Sequence, residues 1–360
     1  MKRSAYILFW ITVILWLTHS AILLLDGALR FSGAVEEIEG GWAATLLEAA
    51  VLAGLMGSVI YAKATGVHGS VLLLGFTAGG LLLISVGLQV LVSGAGPEAP
   101  YNLSLAQGMR HYLAYPLAAV ALGFWLARRF SRLPEIWFQI GIYIAGGVIL
   151  LAGVLLTLAD LYPFAAASWI TDFTTIAAFL IPLLLLIYAR HAYAPLANRS
   201  DSPALAAHWA ALCLLLLLWG MGLAGSITAP VVIRQWIYGT RLMDLQPWLT
   251  LYAVLAMALG GINQAAMELR GLPRRVTGLM PFWLMSFGLN GLGITWLLVG
   301  TGQLYLGRMA GLAPQGVNEL TRLLYIGQVI AAALMLLGAA IYALQLWVRR
   351  PNGLTNRANN

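Results

Sequence analysis

A carboxylate in the middle of an apolar run is the first group in this chain that suggests chemistry. Glu48 lies within LLEAAVLAGLMGSVIY, where an ionisable side chain is costly unless it faces the protein interior and meets a partner. Two readings stay open for it: a proton-relay or cation site, and a protonated, hydrogen-bonded packing residue. Five histidines come next, His19, His68, His111, His191 and His208. No two of them stand four residues apart, and none forms an HH or HxH pair, so no metal site assembles by local spacing. His19 is the deepest of the five. The other four fall near segment ends, where a solvated or capping histidine is the ordinary case. The lone Cys213 reads as a small buried residue. Gln89, Asn263, Gln264 and Asn290 read as interhelical hydrogen-bonding groups.

The elements that carry these residues follow from composition. Hydrophobic residues make up 61% of the 360-residue chain and charged residues 9%, and the mean hydropathy is +0.85. A soluble domain carries roughly 25% charged residues because its surface faces water, so this chain faces lipid. Apolar runs of the ~20 residues that cross a bilayer recur along the whole length. No alternating strand pattern is present, and backbone groups in lipid must be satisfied internally, so the spans are helices. The reading is an all-α polytopic membrane protein with ten transmembrane helices, over 5–26, 41–63, 68–93, 107–130, 135–159, 166–189, 203–229, 246–268, 278–304 and 322–348. The polar stretches 27–40, 94–106 and 305–321 are loops by their Gly, Pro and charge content. Residues 1–350 form a single integral membrane domain and 351–360 a polar tail. Lys2 and Arg3 precede an apolar run too long for a signal peptide and without a small-x-small cleavage site before Asp26, so that run is the first retained helix.

Charge placement gives an orientation. The face holding both termini collects Lys2, Arg3, Lys63, Arg128, Arg129, Arg132, Arg190, Arg199, Arg270, Arg274, Arg275, Arg349, Arg350 and Arg357. The opposite face has Arg30, Arg110, Arg234, Arg241, Arg308 and Arg322, and most of the acids, including Glu36, Glu37 and Glu39. Cytoplasmic loops hold the excess of Lys and Arg, so both termini are expected in the cytoplasm. The pI of 9.7 thus reflects topology and gives no reason to expect a nucleic-acid partner. A multi-pass protein of a bacterial-type cytoplasmic (inner) membrane is expected, with the lipid bilayer as its surroundings.

The last 160 residues carry a pattern. Trp236-Ile237-Tyr238-Gly239-Thr240 forms a turn, followed after five residues by Gln246-Pro247-Trp248-Leu249, then a helix, the basic turn ELRGLPRR and Phe282-Trp283. Upstream, EIWFQIGIYIAGGVILLAGVLLTLAD (135–160) and Phe179-Leu180-Ile181-Pro182 keep the same order. This succession resembles the haem-copper oxidase superfamily subunit I, closest to the nitric oxide reductase large subunit, over about 135–345. In that family the turn contains a histidine, a His-Gly-His-Leu follows at this spacing, and an upstream helix ends in a His-His pair.

The likeness is to a degenerate form. Tyr238 stands at the turn histidine, Gln246 and Trp248 at the His-x-His positions, and Leu155 and Leu156 at the His-His pair. The second helix fits the family's early haem-ligand helix with Ala43 at the ligand position. His68, before VLLLGFTAGG, fits the same pattern, and His111 is similar to a metal-binding His in the family's sixth helix, with Tyr115 where a Glu would follow. Residues two apart on a helix point about 200° apart, so a His-x-His pair offers one imidazole to each of two haems. Gln246 is a poor haem ligand, Trp248 is only a donor, and leucines bind no metal.

What the resemblance implies is a haem-copper oxidase / nitric oxide reductase-like membrane subunit of a respiratory electron-transfer complex, catalytically silent because its haem and non-haem metal ligands are replaced. It implies no cofactor at the ancestral site and, as partners, other membrane or cytochrome subunits of that complex. It also implies that Trp248, Leu155, Leu156, Tyr238 and Gln246 converge in the bundle centre, because an empty haem-sized void costs several kcal/mol at ~24 cal/mol per Å³. A second reading keeps one haem b or a quinone, with His19, His68 or His111 as residual ligand, for electron transfer or gas sensing. A third is a transporter or channel with Asp26, Glu48 and Asp172 near its path. No inverted repeat supports the third.

Overall fold

The computed structural model describes residues 2–33, 40–66, 69–92, 105–130, 134–161, 203–228, 236–270 and 277–348, with the single positions 172, 176 and 233. Among these residues the regular structure is entirely helical. The helices are α1 (Lys2–Ser32), α2 (Gly40–Ala64), α3 (Gly69–Val92), α4 (Tyr115–Phe130), α5 (Glu135–Leu161), α6 (Pro203–Leu217), α7 (Leu242–Arg270), α8 (Leu279–Leu304), α9 (Pro314–Thr321) and α10 (Tyr325–Val348). Three π-helical turns adjoin them: Met109–Ala114 leads into α4, Leu218–Ala224 extends α6, and Tyr305–Met309 extends α8.

Among the described residues eight helices are long and apolar enough to cross a membrane. They correspond to eight of the ten expected spans. The expected helix over 107–130 is formed, but Arg110, His111, Tyr112 and Tyr115 crowd its first turns, and it is not one of the eight. The expected helix over 166–189 lies outside the described residues apart from Asp172 and Ile176.

Two expected loops prove partly helical. The stretch 27–40 begins as helix, because α1 runs on to Ser32 before Gly33 turns the chain at a φ of 83°. An i,i+4 ion pair braces that overhang, with Arg30 Nε donating to the Asp26 carboxylate at 3.0 Å. Within 305–321 the π turn continues α8 and α9 forms a short amphipathic segment, with Pro314 in its first turn and Val317 and Thr321 buried. Proline suits that place because its missing N–H would have no partner there. Likewise α7 starts at Leu242 rather than 246, so Gln246 and Trp248 sit inside the helix.

The helix at the centre is α7. Of its most apolar window 89% is buried inside the bundle, against 39% for α1 and α10. It packs against α6, α2, α4 and α8, while α1 lies between α2 and α10, and α10 packs on α8. Glycines allow these close approaches. On Gly54 of α2 a Cβ would come within 2.9 Å of Ala258, and on Gly260 of α7 within 2.9 Å of Trp209. The lipid-facing helices instead expose large apolar side chains, such as Leu73 and Tyr143.

Candidate functional site

The deepest histidine has two partners. His19, on α1, is fully buried, and its Nδ1 lies 2.9 Å from the carbonyl oxygen of Ala43 on α2. A carbonyl only accepts, so Nδ1 carries the proton and Nε2 is left as the acceptor. The Tyr252 hydroxyl on α7 donates to that Nε2 at 2.8 Å. Trp248, one turn before Tyr252, stacks on the imidazole with centroids 5.6 Å apart and planes 28° from parallel. Its other flank meets Trp296 of α8 edge-on at 5.3 Å. Trp296 Nε1 donates to Gln328 Oε1 at 3.0 Å, and Gln328 Nε2 donates to Asp26 at 2.9 Å. Arg241 lies over the Trp296 ring, 5.9 Å from its centroid, and pairs with Asp244 at 2.7 Å.

Gln246 faces elsewhere, as a residue two positions away on a helix must. It is buried, and its Oε1 accepts from Thr228 Oγ1 of the α6 extension at 2.6 Å. Gln246 and Trp248 therefore point to different neighbours.

A second cluster lies on the other side of α2. Arg110 Nη1 donates to Glu48 Oε1 at 2.6 Å, and the Tyr115 hydroxyl donates to the same oxygen at 3.0 Å. The π turn Met109–Ala114 holds both Arg110 and Tyr112 buried; such turns wind one residue wider than an α-helix and so shift which side chains face inward. His111 is half-buried, with its ring 5.7 Å from that of Tyr115. Helix α5 packs on this turn, where Gly153 leaves room for Leu113 and the Tyr112 carbonyl.

These placements correct several expectations. Trp248 and Gln246 lie within the bundle, and Ala43 is buried beside His19. Leu155 and Leu156 do not join them, because α5 packs on α3, α4 and the π turn. Tyr238 is 71% exposed, since Gly239 turns the chain at a φ of 79° and leaves that ring outside. The five-residue convergence is therefore incomplete. Arg110, expected on a membrane face, is a buried partner of Glu48. Asn263 Nδ2 donates to Thr277 Oγ1, in the bend before α8, at 2.8 Å, and Asn290 turns back to the Ser286 carbonyl of its own helix. Gln264 donates to Glu268, which also accepts from Tyr61 of α2. His208 meets Phe282 edge-on at 5.4 Å, and Cys213 is buried and free of disulfide. His68, His191, the Gln89 side chain and Phe179–Pro182 lie outside the described residues.

Sequence reasoning missed Tyr252 and the Glu48–Arg110 pair. Tyr252 had a signal: it stands four residues after Trp248, on the same helix face. Arg110 had a stronger one, as a cation inside an expected span when a buried carboxylate needed a partner.

Bis-histidine iron does not fit the described residues at the positions the resemblance singles out. Ala43, Gln246, Trp248, Leu155, Leu156 and Tyr238 offer no imidazole, and both nitrogens of His19 already have partners. No known protein family's sequence profile matches the chain, and no curated protein is significantly similar to it.

Proposed function

We propose that this multi-pass membrane protein is a haem-copper oxidase / nitric oxide reductase-like subunit of a respiratory electron-transfer complex, silent at the ancestral metal site. It would lie in a bacterial-type cytoplasmic membrane with both termini in the cytoplasm, and would serve cytochrome or other membrane subunits as a structural or accessory partner. One observation carries the reading. The positions that the resemblance matches to haem ligands on α2 and α7, Ala43 and Trp248, both close onto the single imidazole of His19. Where two opposed histidines would grip one iron, a hydrogen bond and a ring stack fill the space. The same contacts favour this reading over the single-haem alternative through His19, since coordination needs the nitrogen lone pair that Tyr252 engages.

Purification from native membranes, with a haem stain and identification of the co-purifying chains, tests the reading. The expected result is redox subunits bound to an unstained chain. Haem retained by the isolated chain, or recovery without any redox partner, would overturn it.

A further inference from the structure

The buried Tyr252–His19 pair is more polar than packing alone requires. Replacing both partners of a buried hydrogen bond by apolar groups of similar shape is nearly neutral for stability, and the surroundings here are lipid-embedded helices. Yet the phenol and the imidazole meet at 2.8 Å with their roles fixed, because the Ala43 carbonyl holds the proton on Nδ1 and leaves the Nε2 lone pair aimed at the hydroxyl. Both residues are fully buried. An isolated phenolate or phenol radical cation at that depth would be heavily penalised, so electron and proton must leave the phenol together.

Further rings connect the pair to one end of the bundle. Trp248 is 6.0 Å from Tyr252 and 5.3 Å from Trp296, and Trp296 lies under Arg241, whose side chain is 20% exposed. A cation over an indole face is held by the ring's negative quadrupole and opposes positive charge on that same ring. An oxidising equivalent entering at Trp296 is thus driven inward, toward the residue that can lose a proton.

We propose that Tyr252 is a redox-active tyrosine, with His19 as its proton acceptor and Trp296 and Trp248 as its electron route. In the step, Tyr252 gives one electron through Trp248 and Trp296 to a one-electron oxidant docked at the Arg241 end, such as a high-potential redox centre of a partner subunit. Its phenolic O–H bond breaks, the proton moves to Nε2, and a neutral phenoxyl radical faces an imidazolium. That imidazolium still donates from Nδ1 to Ala43, and reduction of the radical returns the proton. The proposal rests on the metal-free reading of His19 given above, and a haem spectrum recorded first separates failure of that reading from failure of this one.

The test is flash oxidation of the purified full chain in detergent with photo-oxidised ruthenium tris-bipyridine, followed by paramagnetic resonance and transient absorption. A tyrosyl signal is expected, formed at least twofold more slowly in D2O. Tyr252→Phe should lower that signal at least twofold, the remainder coming from exposed tyrosines such as Tyr143 and Tyr238, and leave an indole radical. His19→Gln, which keeps a hydrogen-bonding group but removes the base, should lower the tyrosyl yield to the level of Tyr252→Phe while the unfolding midpoint stays within a few degrees. An undiminished tyrosyl signal in Tyr252→Phe, an undiminished yield in His19→Gln, or no tyrosyl signal in the unaltered chain would each overturn the proposal.

Discussion

Ala43 and Glu48 stand on one helix, about 140° apart around its axis and about 7.5 Å apart along it, and the clusters they anchor differ in kind. At Ala43 the contacts are neutral: an imidazole, a phenol and two indoles, held by two hydrogen bonds and ring stacking. At Glu48 a carboxylate meets a guanidinium and a second phenol, all drawn together by a π turn. The neutral cluster joins α1, α2, α7 and α8, whereas the charged one joins α2 to the start of α4. Their difference is in what can be removed. A neutral polar pair is dispensable if both members go, while a buried charge cannot lose its partner alone.

The largest effect should come from splitting the ion pair. Arg110→Leu leaves the Glu48 carboxylate without its cation and should cost about 3–5 kcal/mol. Denaturant titration in mixed micelles would measure it. The double variant Arg110→Leu with Glu48→Leu should recover most of that loss, and an undiminished loss would show that the two charges are not coupled. In the neutral cluster, Tyr252→Phe leaves Nε2 of His19 without its donor and should cost about 1–3 kcal/mol. Adding His19→Leu should reduce that loss rather than increase it, which is the same cycle at a lower stake.

Smaller effects sharpen the contrast around the start of α7. Thr228→Val removes the donor to Gln246 Oε1 and should cost about 1 kcal/mol, read by the same titration. Tyr238→Ala, at an exposed turn position, should change stability by less than about 0.5 kcal/mol. A large loss there would place Tyr238 in an interface with another chain or restore it to the centre.

How far these regions could be read beforehand depended on the kind of signal. Helix identity was plain, because charge scarcity and 20-residue apolar runs leave a lipid-embedded chain no other backbone solution. Helix ends were less plain: α1 overran its apolar segment on the Asp26–Arg30 pair, and α7 began before Gln246 and Trp248. The special positions Ala43, Gln246 and Trp248 were named from the resemblance, and they proved buried or packed on the core. The partner that joins Ala43 and Trp248, His19, is more than twenty residues away from either in the sequence and lies on another helix. Such pairings depend on how helices rotate against one another, and an all-apolar helix has too weak an amphipathic pattern to fix its rotation. Arg110 was placed on a membrane face because it stands near the start of its span, whereas the π turn Met109–Ala114 that holds it widens the helix there and turns it inward.

Whether Ala43, Tyr252 and Trp248 engage His19 where iron would otherwise bind is decided by the optical spectrum of the chain purified from haem-replete membranes. No Soret band is expected in the unaltered protein. A Soret band that disappears in His19→Gln would contradict it.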